Sequence, residues 1–218
     1  NRIEINSEES YGLNGLNVFF DSLTDNASIE VDRGSHQFQT PVDLLRDLEL
    51  DLAFGSTLSF NNALNLNGRT LLQTRAGELQ INGSQGNTGV VAATRGVVSG
   101  SGNVGGDLSN VSAAVAPGPG FGRLSVSGNY TQGSAATLEI ELGGATTGLR
   151  DVLDIAQSAN LGGTLSIIVN GFVPGRGDQF GILSFSQRNG NFADIQGLVL
   201  GPTLRLVPQY GSNELTLT

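Results

Sequence analysis

The sequence predicts an all-β protein built as a β-solenoid, a chain wound into stacked coils around one apolar interior. Three observations lead to this prediction. Glycine accounts for 32 of the 218 residues, about twice its average usage, and it clusters with Asn and Ser in turns. A short pattern of alternating polar and apolar residues recurs along the chain. The intervals between turn signals are too short for a regular helix.

The recurring pattern has Leu in second place and another apolar residue in fourth place. It occurs at residues 57–60, 78–81, 123–126, 137–140, 164–167, 203–206 and 214–217. Because successive side chains of a strand point to opposite faces, the two apolar residues enter the interior and the residue between them faces water. The uneven spacing of the copies is typical of coils joined by turns of variable length. At roughly 20 to 25 residues per coil, the chain could form about eight to ten coils.

Residues 1–39 are the least regular segment. Short alternating runs are separated there by turn signals at Asn14-Gly15 and Asp32-Arg33-Gly34. Since the end of a solenoid exposes unpaired backbone, the segment is predicted to be an N-terminal cap or a strand-exchange segment.

Residues 40–144 are predicted to form the solenoid coils. Thr40 followed by Pro41 is typical of a helix start, so one helical turn is expected over residues 41–46. From Leu48 onward the period is two, and one buried face is expected to contain Leu48, Leu50, Leu52 and Phe54.

Residues 145–218 are predicted to form the closing coils and a C-terminal β cap. Their strand signals are of uneven length. The final segment, residues 203–217, consists of two alternating runs around Tyr210-Gly211-Ser212-Asn213. This arrangement predicts a β-hairpin.

The composition excludes several classes of function. The net charge of −9 and the scatter of eleven Arg residues as the only cations argue against binding to nucleic acid or to an anionic membrane. The absence of Cys excludes disulfides and thiolate metal sites, and it suits either a reducing cytosol or a bacterial surface protein. No run approaches the roughly 18 apolar residues of a membrane span, so membrane insertion is not expected.

A family resemblance adds to these patterns. Residues 100–110, 115–118, 122–133 and 137–144 resemble the passenger-type β-helix repeats of bacterial autotransporters and related secreted surface proteins. Residues 151–155, 162–165 and 171–178 resemble the segment that closes such passengers. The resemblance covers residues 48–218 and is most specific from residue 96 onward. It implies a right-handed parallel β-helix, export to the extracellular space or cell surface after removal of a signal peptide, and a role as stalk, adhesin or matrix component.

Paired carboxylates are the clearest chemical signal. Asp151 and Asp154 lie three residues apart, with Asp178 further along the chain, and such groups can serve acid/base or metal chemistry. In a strand, however, residues three apart point to opposite faces, so solvated turn carboxylates are predicted. Glu139 and Glu141 share one strand face at a spacing that glycosidases also use, but a solvated strand face is the favoured interpretation.

The remaining motifs are explained without a ligand. His36, the single histidine, has no nucleophile motif with it and is predicted to be a surface or cap imidazole. Arg176-Gly177-Asp178 spells an integrin-type tripeptide but falls where a Gly-Asp turn is expected. Glycosylation triplets, common by chance in such a chain, begin at Asn26, Asn82, Asn110 and Asn129. No catalytic residue, cofactor or metal site is predicted.

The favoured function is that of a non-enzymatic extracellular structural protein, forming a surface filament or matrix by association with copies of itself. Terminal or edge strands would add to a neighbour's sheet by backbone pairing. The residues predicted to do this are Arg2, Ile3, Glu4, Ile5, Leu215, Thr216 and Leu217. The alternative is an adhesin-type passenger that binds host or matrix glycans. A polysaccharide lyase or hydrolase is disfavoured, because such enzymes cluster Asp with Lys, Arg or His and this chain has no Lys.

Overall fold

The computed structural model describes residues 2–22, 25–84, 88–146 and 148–218. Within these ranges the chain forms 27 strands and no helix, and therefore no helix that could cross a membrane. The strands follow one another in parallel coils, which confirms the predicted all-β solenoid.

Most coils contribute three strands. The first three coils comprise β1 (Arg2–Asn6), β2 (Gly12–Leu13), β3 (Val18–Phe20), β4 (Ala27–Arg33), β5 (Ser35–Phe38), β6 (Val42–Leu44), β7 (Leu48–Leu52), β8 (Thr57–Phe60) and β9 (Leu64–Asn65). The fourth coil contributes β10 (Thr70–Gln73) and β11 (Glu78–Ile81). Coils five to eight comprise β12 (Val90–Ala93), β13 (Val97–Gly100), β14 (Asn103–Val104), β15 (Asp107–Asn110), β16 (Ala114–Pro117), β17 (Arg123–Val126), β18 (Tyr130–Gln132), β19 (Thr137–Leu142), β20 (Val152–Ile155), β21 (Ser158–Leu161), β22 (Thr164–Val169) and β23 (Phe180–Ser184). The last coil contributes β24 (Gln187–Gly190) and β25 (Asp194–Gln196), and β26 (Pro208–Tyr210) and β27 (Glu214–Leu217) follow it.

The strands form three faces around the interior. The first face is a nine-stranded sheet from β1 to β24, and the second is a nine-stranded sheet from β2 to β25. The third position of the coils is occupied by a three-stranded sheet, β3-β6-β9, and by a six-stranded sheet, β14-β17-β20-β23-β27-β26. Strands of neighbouring coils pair in parallel, whereas β27 runs antiparallel to both β23 and β26.

The interior is a single apolar cluster that follows the predicted alternation. Strand β8, for example, alternates half-buried and buried residues. The register places Leu48 beside Leu71, Leu58 beside Leu79 and Leu138 beside Leu165. Each such buried side chain contributes about 1.5 to 3 kcal/mol to the stability of the fold. The rings of Phe38 and Phe60 stack in the same way, with centroids 5.1 Å apart.

Glycine is required where the corners of neighbouring coils touch. Gly96 has a φ of 75°, and a Cβ atom added there would lie only 2.2 Å from the carbonyl oxygen of Gly77 in the preceding coil. Because adjacent strands are only ~4.8 Å apart, a side chain at such a corner would enter the backbone of the next coil. This stacking explains part of the glycine content that the sequence shows.

Two local expectations were wrong. The helical turn expected over residues 41–46 is absent, because Val42 belongs to β6 and pairs with both Val18 and Leu64. One hydrogen-bonded helical turn is weakly stable by itself, so pairing with two neighbouring strands prevails over the capping signal. Phe54 is 88% exposed and does not continue the buried face of β7, since the chain turns directly after Leu52.

The two ends differ in how their strands pair. Within the predicted cap segment, residues 1–39, the described residues supply β1 to β5 to the sheets formed by the later coils. At the other end, β26 and β27 form the predicted antiparallel hairpin, with the Gly211 N–H donating to the Glu214 carbonyl at 2.8 Å. This hairpin extends the third face by way of β23.

Candidate association edge and carboxylate cluster

The strand predicted for self-association lies at the end of a sheet. Ile3 and Ile5 of β1 pair with Ile29 and Val31 of β4, and no other strand of the described chain pairs with β1. Arg2 and Glu4 point outward and are exposed, whereas the two isoleucines are partly buried against the interior. The outer edge of β1 therefore presents unpaired backbone N–H and C=O groups.

The interior is partly open at this end. A cavity of about 510 Å³ lies between β1 and the segment that contains Tyr11 and Leu13. Leu13 and Val18 are partly buried like Ile3 and Ile5. The first coil therefore leaves apolar surface accessible beside its free backbone edge.

The interior is closed at the opposite end. Phe192 is 7%, Leu198 8% and Leu206 2% exposed. A short turn holds the last two together, because the Leu206 N–H donates to the Leu198 carbonyl at 2.8 Å. The two ends of the solenoid thus differ in accessible apolar surface.

The second predicted association segment is not at a sheet edge. Leu215, Thr216 and Leu217 lie on β27, which is paired with β23 on one side and with β26 on the other. Leu215 and Leu217 are completely buried. The backbone of β27 is therefore paired on both sides, and among the residues predicted for self-association only those of β1 lie on a strand with one unpaired side in the described chain.

The three aspartates predicted as solvated turn residues have separate surroundings. The Asp178 carboxylate accepts a hydrogen bond from the Gly175 N–H of its own turn at 2.7 Å. Asp151 is buried, and its two carboxylate oxygens accept hydrogen bonds from the backbone N–H groups of Gly122 and Glu141, both at 2.8 Å. Asp154 pairs with Arg123 and accepts a hydrogen bond from the Ser184 hydroxyl. The solvated interpretation was therefore wrong for Asp151, which fastens β19 to the residues before β17.

The structure brings Asp151 close to the paired glutamates. Glu139 and Glu141 point outward from β19 and line a small hollow of about 110 Å³ together with Asp151. The amide of Asn170 donates to the Glu141 carboxylate at 3.1 Å. Both oxygens of Asp151 are occupied by backbone donors, and in the described ranges no group of three His, Cys, Asp or Glu side chains could hold a metal ion. The geometry is that of a structural clamp.

Burial changes the acidity of this clamp. The pKa of the Asp151 carboxyl is raised from 3.8 to about 7, with burial as the largest cause. The hydrogen bonds from the backbone of Glu141 and Gly122 oppose this rise, and the negative charge of Glu141 adds to it. The folded protein therefore holds this proton more tightly than the unfolded chain does.

This acidity predicts a pH dependence of stability. The stabilisation of the folded state that results from the raised pKa is fully present below pH 3.8. It is lost as the pH rises toward about 7, because the unfolded chain releases the proton at a lower pH than the folded protein does. We expect the urea midpoint of the Asp151→Asn variant to lack this decline, which the wild-type protein should show in the same buffers. Parallel midpoint curves for the two proteins would contradict the assignment.

The other predicted motifs are placed as follows. His36, predicted to be a surface or cap imidazole, is 1% exposed, so the surface alternative was wrong. Its Nδ1 accepts from the Tyr11 N–H at 3.2 Å, and its Nε2 lies 2.9 Å from the Arg33 carbonyl oxygen. Asn110, in one of the glycosylation triplets, is completely buried and donates to the Thr137 carbonyl. These two polar side chains hold coils together.

Sequence reasoning missed a row of buried amides at the corner between the first and second faces. The row consists of Gln73, Asn110 and Gln132. Strand register places Ala93 between Gln73 and Asn110, and it places Asn110 directly beside Gln132. The Gln132 amide donates to the carbonyls of Gly162 and Thr164 in the next coil. The sequence does contain a signal for this row, because each amide lies two residues after a buried residue of the same strand.

Comparison with known proteins does not add a family to these observations. The sequence matches no protein-family model. A search of curated proteins likewise finds no match.

Proposed function

We propose that this chain is a structural β-solenoid subunit of the extracellular space or cell surface, and that it associates with a second copy through β1. The observation that supports this most directly is the free backbone edge of β1 beside a partly open apolar interior. Edge strands of this kind are templates for pairing with another chain. Two-fold symmetric pairs are the commonest form of such association.

The side chains of β1 complement themselves in one antiparallel register. If Ile3 lies opposite Ile3 of the second copy, Arg2 lies opposite Glu4 of that copy, and the reciprocal pair follows by symmetry. A two-fold axis perpendicular to the first face keeps the isoleucines on the inner side of a continuous sheet. Opposite charges that face each other across antiparallel strands contribute roughly 0.2 to 1 kcal/mol per pair.

The existing contacts of Arg2 are compatible with this arrangement. Its guanidinium already pairs with Glu30 on the adjacent strand and lies 3.3 Å from the Glu4 carboxylate. Arg2 and Glu4 are both exposed on the outer side of β1, which is the side on which the second copy would present its own Glu4. Ile3 and Ile5 would gain the cover that their counterparts in later coils have.

A charge exchange tests this register. Arg2→Glu should weaken association, because the introduced carboxylate would face the Glu4 carboxylate of the second copy. The double variant Arg2→Glu/Glu4→Arg should restore association, since the reciprocal pairs re-form with reversed sign. Sedimentation equilibrium of the wild type and both variants measures this, with circular dichroism to verify folding and Arg95→Glu as an exposed control.

Two results would contradict the proposal. One is a wild-type protein that stays monomeric at high concentration. The other is a double variant that associates no better than Arg2→Glu. Electron microscopy adds a geometric criterion, since a two-fold pair has twice the length of one solenoid, whereas an open filament would require a head-to-tail contact instead.

A further inference from the structure

Five asparagines of the chain are followed directly by glycine: Asn14, Asn67, Asn82, Asn170 and Asn189. An Asn-Gly pair is chemically labile, because glycine has no side chain to keep its backbone nitrogen away from the asparagine side-chain carbonyl carbon, Cγ. Attack of this nitrogen on Cγ requires rotation of the peptide group between the two residues. The hydrogen bonds of each glycine therefore decide which pair can react.

Four of the five glycines are fixed by hydrogen bonds or by strand pairing. Their partners are Thr88 for Gly68, Phe60 for Gly83, Thr40 for Gly15 and Leu161 for Gly190. In Gly68 and Gly83 the attacking nitrogen is itself the donor, at 2.6 and 3.0 Å. Gly83 is also enclosed by its neighbours, since a Cβ atom added there would lie 1.9 Å from the Asn62 carbonyl oxygen. In these pairs the peptide group cannot rotate unless existing contacts break.

Gly171 is the exception among the five. It lies just after the end of β22, it is exposed, and a Cβ atom added to it would meet nothing within 4 Å. Within the described ranges, no backbone hydrogen bond is donated or accepted by Gly171. The peptide group between Asn170 and Gly171 can therefore rotate without breaking a contact of the glycine.

The asparagine of this pair is anchored, unlike its glycine. The Asn170 N–H donates to the Leu142 carbonyl at 2.7 Å, and the side-chain amide donates to the Glu141 carboxylate at 3.1 Å. Asn170 is also exposed, so water has access to its side chain. The pair thus combines a positioned amide with solvent access and with a backbone nitrogen that no acceptor holds.

We propose that Asn170 is a site of spontaneous deamidation, a covalent modification that converts its amide to a carboxylate. The Gly171 nitrogen attacks Cγ of Asn170, so that an N–Cγ bond forms and the Cγ–Nδ2 bond breaks. The backbone proton leaves with the side-chain nitrogen as ammonia, and a cyclic imide remains. Water then opens the imide at either carbonyl, which gives aspartate or isoaspartate. The proposal does not depend on association through β1.

The reaction would change the contact with Glu141 from attraction to repulsion. The hydrogen-bond donor of Asn170 is lost, and two negative charges face each other near Asp151. Aged protein should therefore unfold at a lower urea concentration than fresh protein does. The Asn170→Asp variant should reproduce the lower midpoint, and an unchanged midpoint of this variant would contradict the repulsion.

Peptide mapping by mass spectrometry, after incubation of the folded protein at mildly alkaline pH, measures the modification. Aspartate and isoaspartate should accumulate at residue 170 at least about tenfold faster than at residue 82, which reacts only when its coil opens. The Asn170→Gln variant should stop the reaction at residue 170, because its longer side chain places the carbonyl carbon one bond further from the Gly171 nitrogen.

Incubation in urea is the control for the role of the fold. Unfolding frees both glycines, so residues 82 and 170 should then react at similar rates. The proposal is overturned if residue 170 keeps its amide in the folded protein, or if residues 82 and 170 react equally fast there. It is also overturned if the difference between the two positions persists in urea, since the local sequence would then explain it.

Discussion

Replacing Gly96 by Ala is expected to destabilise the protein by about 2 to 5 kcal/mol. The new Cβ would lie 2.2 Å from the Gly77 carbonyl oxygen and 2.5 Å from the Gln73 side-chain nitrogen. That nitrogen donates to the same Gly77 carbonyl at 2.7 Å, so the clash also disturbs a buried hydrogen bond. Overpacking and an alanine at positive φ each add to the cost. Urea unfolding followed by circular dichroism measures the loss.

Gly55→Ala is the matched control for this prediction. Gly55 has a φ of 81°, close to the 75° of Gly96, but a Cβ added there would meet nothing within 4 Å. Its substitution should cost only the backbone strain, about 1 to 2 kcal/mol. If both variants lose the same stability, the contact between coil corners contributes nothing and the explanation of the glycine content fails.

Replacing Asp151 by Ala is expected to cost about 2 to 4 kcal/mol. The substitution leaves the backbone N–H groups of Gly122 and Glu141 without the acceptor that each has at 2.8 Å. Buried donors without a partner cost about 1 to 3 kcal/mol each, and these two are partly buried, so the lower part of that range applies to each. The loss should be greatest for the segment between β19 and β20, which amide hydrogen exchange can resolve residue by residue.

Asp154→Ala separates this clamp from an ordinary surface carboxylate. Asp154 lies three residues further along and pairs with Arg123, whose side chain is 53% exposed. Exposed ion pairs contribute about 0 to 1 kcal/mol, so this variant should stay within that range. An Asp154→Ala loss equal to that of Asp151→Ala would show that the pair of backbone donors does not determine the effect.

The carboxylates show which features of a side chain the sequence could predict and which it could not. The alternation of β19 predicted that Glu139 and Glu141 share an outer face, and the structure places them there. The spacing of Asp151 and Asp154 predicted solvated turn carboxylates at both positions, whereas Asp151 is buried and Asp154 pairs at the surface. The partners of Asp151 were not predictable, because Gly122 lies in the preceding coil and turn lengths determine which residue it meets.

The candidate sites likewise combine features that local sequence patterns predict with features that they do not. The alternation of Arg2, Ile3 and Glu4 predicted a strand with Arg2 and Glu4 on its outer side, and the structure places them there. The position of β27 between two strands did not follow, because a hairpin signal does not specify on which side a preceding strand lies. The contact between Asn170 and Glu141 did not follow either, because the two residues belong to neighbouring coils.

The sequence by itself determined the all-β class, the inward face of most strands and the coiled architecture. These properties depend on the pleat and on turn residues, which act over a few neighbouring residues. The tertiary structure alone decided that β6 is a strand and that His36 and Asp151 are buried. It also decided that, within the described residues, apolar surface is accessible beside β1 but covered beside Leu198 and Leu206. Such features arise from pairing between coils, where register and turn length bring together residues that no local pattern connects.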